Sequence, residues 1–228
     1  MKLLALLPAL LILSACDHQA AASGAGNTMS CFAGGLKLSG AGDTEVGFGS
    51  FGIQGETITG FGLGLNVENA GKVYEISSSL MTLPMQAGTY HFPALAEPGM
   101  TLASYKIKNA DRDLIKTYNG GTYSQQFSAV ENDPEAKLKI QVHKMIVSDA
   151  LKPGFKHVHA VGSFEFNAAA LPAASPSDAC VKAAVVRSLS SVQAGKRLLP
   201  LYDAAVCGAE KIHVRCDFDV AADLVRHQ

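Results

Sequence analysis

The chain predicts a mainly β fold: an antiparallel β-sandwich with a small disulfide-linked C-terminal segment that holds a short helix and a final strand. Three observations predict it. Apolar residues alternate with period two in several segments, turn residues punctuate those segments at short spacing, and four cysteines are split between the start and the end of the folded region. In order along the chain, Thr59 to Val67 alternates, with Phe61, Leu63, Leu65 and Val67 on one face and Gly60, Gly62 and Gly64 on the other. A face that bare lets another backbone approach closely. Asn69-Ala70-Gly71 is a turn signal, and Lys72 to Met81 is the next strand, with Tyr74, Ile76 and Leu80 on one side. Gly88 to Pro93 is a short strand ended by proline. Asn119-Gly120-Gly121, between Leu114–Tyr118 and Thr122–Phe127, predicts a hairpin, because adjacent Asn and Gly accept the positive φ of a tight turn. Lys137 to Val147 and Lys156 to Asn167 form a strand pair around Pro153-Gly154. Leu138, Ile140 and Val142 face inward on the first strand, and Val158, Ala160, Phe164 and Phe166 on the second.

The predicted sandwich covers residues 31–168, and residues 169–228 form the C-terminal segment packed on it. Ala168 to Ser177, rich in Ala, Pro and Ser, is a linker. Ser177 is placed to cap a helix running to about Ser190, with Cys180, Val181, Ala184, Val185 and Leu189 on one face. Gly195 to Val206 has no clear period. Ile212 to Val220 alternates sharply, with Val214, Cys216 and Phe218 inward and His213, Arg215, Asp217 and Asp219 outward. This strand is expected to join the main sheet, since so short a tail cannot bury a core alone.

The five cysteines are Cys16, Cys31, Cys180, Cys207 and Cys216. If the last four pair within the chain, Cys31 must take Cys180, Cys207 or Cys216, which staples the start of the fold to its end; the sequence does not choose among the three connectivities. No Cys-x-x-Cys occurs, which argues against a thiolate zinc site and a redox pair.

The N-terminus carries the most specific motif. Lys2 precedes an apolar stretch from Leu3 to Ile12, followed by Leu13-Ser14-Ala15-Cys16. The stretch is about half the length that a bilayer-spanning helix needs, and it suits the apolar region of a signal peptide. The arrangement resembles a bacterial lipoprotein signal with its lipobox. That resemblance implies that residues 1–15 are removed, that Cys16 is acylated, and that residues 16–30 form a flexible tether to a periplasm-facing domain. A secretory signal without lipidation is the alternative. Asp17 implies inner-membrane retention in enteric-type lipoproteins, a rule that varies between bacterial groups, so the outer membrane stays open. The segment from Gly88-Thr89-Tyr90 to Val161-Gly162-Ser163-Phe164-Glu165-Phe166 resembles uncharacterised lipoprotein β-sandwich modules, which carry no established activity to transfer.

Composition narrows the function classes. Lys and Arg total 19 against 20 Asp and Glu, so no basic surface suited to nucleic acid is indicated. Gly47-Phe48-Gly49-Ser50-Phe51-Gly52 fits Gly-x-Gly-x-x-Gly, but no helix start follows, so it reads as a glycine-rich strand or bend. The common hydrolase, zinc-protease and phosphate-loop motifs are not found, and an enzyme remains only as an unmarked site. Asp111, Arg112 and Asp113, like the Asp217/Asp219 group, read as solvated charge. The histidines are the remaining lead. His157 and His159 share one face of a strand, and pairing Val142 with Ala160 would set His143 opposite His159. Those three imidazoles would suit zinc or copper, although nearby Lys139, Lys144 and Lys156 oppose a cation. A one-residue slip destroys the arrangement, leaving histidines on a polar sheet face. No cofactor is otherwise expected. The expected partners are the membrane, through acyl chains, and an envelope protein, in a non-catalytic binding or structural role. The glycine face and the lysine-rich hairpin are the candidate docking surfaces.

Overall fold

The computed structural model describes residues 26–93, 95–97, 100–101, 103–120, 137–170, 177–193 and 204–227. The strands are β1 (Thr28–Ala33), β2 (Leu36–Ala41), β3 (Val46–Gly49), β4 (Gly52–Gln54), β5 (Thr57–Asn69), β6 (Lys72–Pro84), β7 (Gly88–Pro93), β8 (Leu95–Glu97), β9 (Met100–Thr101), β10 (Ala103–Asn109), β11 (Leu114–Gly120), β12 (Lys137–Asp149), β13 (Phe155–Ala170) and β14 (Glu210–His227). The helices are α1 (Asp178–Gln193) and α2 (Ala204–Cys207). No helix among the described residues is long and apolar enough to cross a membrane.

Among the described residues twelve strands form one sheet, and β8 and β9 pair separately. One layer runs β2-β1-β14-β13-β12-β7, and the other runs from β4 through β5, β6 and β10 to β11, with β3 beside β5. Short pairings join the layers at two corners. Arg226 and His227 of β14 lie parallel to Ile53 and Gln54 of β4. Asn119 and Gly120 of β11 meet Ala169 and Ala168 of β13. The sandwich is therefore a sheet folded back on itself, mixed only through the β14–β4 contact. The inner faces share one core that includes Phe61, Leu63, Leu65, Leu138, Ile140, Phe164, Phe166, Val214 and Phe218. These are the inward positions of the alternating segments read from the sequence.

The final strand lies at the centre of its layer. β14 pairs with β13 from Phe155↔Val225 to Ala170↔Glu210, and its other edge holds β1, from Thr28↔Asp219 to Ala33↔Val214. Cys31 and Cys216 are register partners there, with Cα atoms 4.0 Å apart, and they form a buried disulfide. Cys31 thus takes a C-terminal partner. Cys180 and Cys207 form the second bridge, which joins α1 to α2.

Four expectations need correction. β1 begins at Thr28, inside the stretch read as tether, because its backbone pairs with both β14 and β2. Cys16, the signal segment and residues 16–25 lie outside the described residues. Asn119 and Gly120 are strand rather than turn residues; pairing with Ser104, Ala169 and Ala168 overrides their local preference. The linker read from Ala168 begins later, because β13 continues through Ala170 along β14. On α1, the Ser177 hydroxyl accepts the Cys180 amide at 3.2 Å and caps the helix as expected. However, only Cys180 of the apolar face is buried; Val181, Val185 and Leu189 are exposed.

Candidate functional site

The outer face of β7, β12, β13, β14 and β1 carries the predicted site residues. Gly162 is a tightly packed point in the pairing beneath it. Gly162 lies opposite Val142 on one side and Phe218 on the other. A Cβ there would lie 2.2 Å from the Gln141 carbonyl oxygen and 2.8 Å from the Phe218 ring. Only glycine lets the strands close and lets Phe218 fill the space.

This pairing changes the histidine arrangement. Val142 pairs with Gly162 rather than Ala160, and a bulge follows, so that Lys144 pairs with Val161 and Met145 with Ala160. His143 is the extra residue in the bulge, and the partner of His159 is Ile146. The expected His143–His159 opposition does not occur. Among the described residues no group of three His, Cys, Asp or Glu side chains is placed to hold a metal ion.

The two β13 histidines instead each have an aspartate on β14. His157 Nδ1 donates to Asp223 Oδ1 at 2.8 Å, and His159 Nε2 donates to Asp219 Oδ1 at 2.6 Å. Sequence reading missed Asp223 altogether and treated Asp219 as solvated charge. Extending the β14 alternation places both on the outer face, but only the β13–β14 register shows which histidine each one meets. Ser148 is the β12 partner of His157, so Ser148, His157 and Asp223 lie in a row across three strands. No hydrogen bond joins Ser148 to the ring.

Two shallow depressions flank these pairs. The first, about 440 Å³, is lined by His143, Asp217, Asp219, Thr28, Ser30 and Ser39, among others. The second, about 420 Å³, is lined by His91, Lys137, Lys139, Glu165, Asn167 and His213 with Phe166. In the second, Lys139 donates to Glu165 at 2.8 Å. That bond holds the Glu165 carboxyl below its ordinary range, against the opposing effect of partial burial, with smaller help from His213 and Arg215. His213 Nδ1 donates to Asn167 Oδ1 at 2.9 Å, and its other nitrogen lies 3.6 Å from Glu165. His227 Nε2 donates to the Phe51 carbonyl at 2.7 Å. Other residues singled out in the sequence make local contacts. Asn109 and Asp113 bond each other across the turn that carries Asp111 and Arg112, and Arg215 lies 3.9 Å from Asp217. Gly47 to Gly52 spans β3, a bend and the start of β4.

A second polar cluster lies where β11 approaches the start of β14. Glu210 accepts from Tyr118 at 2.6 Å and from Lys116. Its carboxyl is held low by Lys116 first and Tyr118 second. Tyr118 stacks on Tyr105, whose hydroxyl is pushed up to about 12 mainly by burial.

Comparison with protein-family models, curated proteins and solved structures finds no match to this chain.

Proposed function

We propose that the protein is a lipid-anchored component of a bacterial cell envelope, facing the periplasm, with a non-catalytic binding or structural role. Leu13-Ser14-Ala15-Cys16 behind a short apolar stretch is the observation that carries the reading. Two disulfides support it, since such bonds persist in oxidising compartments and rarely in the cytosol. Support for a binding rather than a catalytic role comes from the outer sheet face. Its His157, His159 and Glu165 bond side chains on adjoining strands instead of converging on a deep cavity. A rigid sheet with a patterned polar face suits recognition of a partner.

Metabolic labelling tests the anchor. Radiolabelled palmitate is expected to enter the wild-type protein and not the Cys16→Ser variant, which stays in the soluble fraction. Equal labelling of the two would remove the anchor from the reading.

A further inference from the structure

We propose that the end of the sandwich formed by the β12–β13 hairpin, the bend before β4 and the end of β14 rests on the bilayer that holds the anchor. The proposal depends on acylation of Cys16. It adds which end of the domain meets lipid.

The direction in which the chain leaves the sheet is the first argument. β1 is antiparallel to β14, so the chain before Thr28 points toward the C-terminal end of β14. At Asn27 it is still held to the sheet: its side-chain oxygen accepts the Ala221 amide at 2.7 Å. From the level of Ala221 to His227 is about 20 Å at the rise of a strand, whereas the opposite end, at Glu210, is about 36 Å away. Ten residue steps separate Gly26 from Cys16, and a chain of that length spans at most about 35 Å. The near end thus reaches the anchor with length to spare. The far end would do so only with the connecting chain fully extended back along the domain.

The near end also has the chemistry of a lipid-contacting tip. Leu151, at the crest of the β12–β13 hairpin, is 105 % exposed. Phe51, in the bend before β4, is 60 % exposed, and its carbonyl is tied to His227. Val225, 36 % exposed, pairs with Phe155, and the Arg226 amide donates to the Gly154 carbonyl at 2.9 Å. These contacts bring the hairpin, the bend and the end of β14 together. Lys152 lies 4.2 Å from the centre of the Phe155 ring, so two cations, Lys152 and Arg226, flank the apolar residues. Of the acids nearby, Asp149 is bound by Lys156 and Asp223 by His157, and Glu56 lies on the adjoining turn. Apolar side chains flanked by cations suit the boundary between headgroups and acyl chains, where interfacial segments sink about 5–10 Å.

The protein has no tryptophan, so an introduced one is a sole reporter. The full acylated chain would be reconstituted into phosphatidylethanolamine and phosphatidylglycerol vesicles, with or without brominated acyl chains. The variants are Leu151→Trp and, as an independent tip reporter, Phe51→Trp. Lys37→Trp, on β2 near the opposite end, is the reference. Brominated lipid is expected to cut tip emission about twofold and leave the reference unchanged, as shallow insertion requires. Vesicle-bound protein with no quenching at either tip position, or with equal quenching at Lys37→Trp, overturns the proposal and leaves the anchor intact. Protein that stays in the supernatant overturns the anchor, and the proposal with it.

Discussion

The β13–β14–β1 layer and the α1–α2 segment each carry one disulfide, yet they differ in how they are held. In the layer, Cys31 and Cys216 are register partners within a continuous ladder and face a core shared by both layers. In the segment, Cys180–Cys207 joins two helices, while Val181, Val185 and Leu189 of α1 remain exposed. The first bridge closes a loop of 185 residues and the second one of 27. In the chain-entropy model these are worth about 5 and about 3.5 kcal/mol. The free energies are similar in size, but they fall on different structures. The long bridge restricts the unfolded form of the whole sandwich, and the short one restricts chiefly a local segment.

Separate removal of the bridges tests this difference and gives the largest expected effect. The Cys31→Ala/Cys216→Ala variant should lose up to about 5 kcal/mol of sheet stability, read by urea unfolding at the strand circular-dichroism signal. The Cys180→Ala/Cys207→Ala variant should leave that strand transition within about 1 kcal/mol of wild type, because few sheet contacts depend on it. A shift as large as that of the first pair would show that the helical segment and the sheet unfold together, and the contrast would collapse.

A smaller effect sharpens the same comparison. Gly162→Ala puts a methyl group against the Gln141 carbonyl and the Phe218 ring. The expected loss is about 1–3 kcal/mol, from overpacking at the point that sets the β12–β13 register. An alanine at exposed Val185 should cost less than about 0.5 kcal/mol. Equal losses at the two positions would mean that α1 is supported as firmly as the sheet.

The same contrast explains what could be read from the sequence. Alternation in β5, β12, β13 and β14 is local and strong, so the inward residues Phe61, Leu138, Phe164 and Phe218 were legible, as was the Ser177 cap. The neighbour of each strand was not. Pairing of His157 with Asp223 and of His159 with Asp219 depends on β14 lying beside β13 in a particular register. The place of His143 depends on a bulge that follows the pairing of Val142 with Gly162. These are contacts between residues distant in sequence, and period two is indifferent to them. On α1, periodicity marked the apolar face correctly but carried no information on whether another element would cover it.

The smallest effect concerns charge on the sheet face. Lys139 lowers the Glu165 carboxyl below its ordinary range by a 2.8 Å hydrogen bond. A carboxyl depressed in the folded state adds stability above its unfolded pKa, about 4.3, and that contribution is lost as pH falls through the lower folded value. Lys139→Met should therefore destabilise the protein at pH 7, with a penalty that shrinks as pH falls through the lowered folded value of Glu165. Both side chains are about one-third exposed or more, so solvent screening limits the effect to less than about 1 kcal/mol. Urea midpoints across pH 2 to 7 would measure it. A penalty that persists undiminished at pH 2 would assign the role of Lys139 to packing of its aliphatic stem on the sheet rather than to its charge.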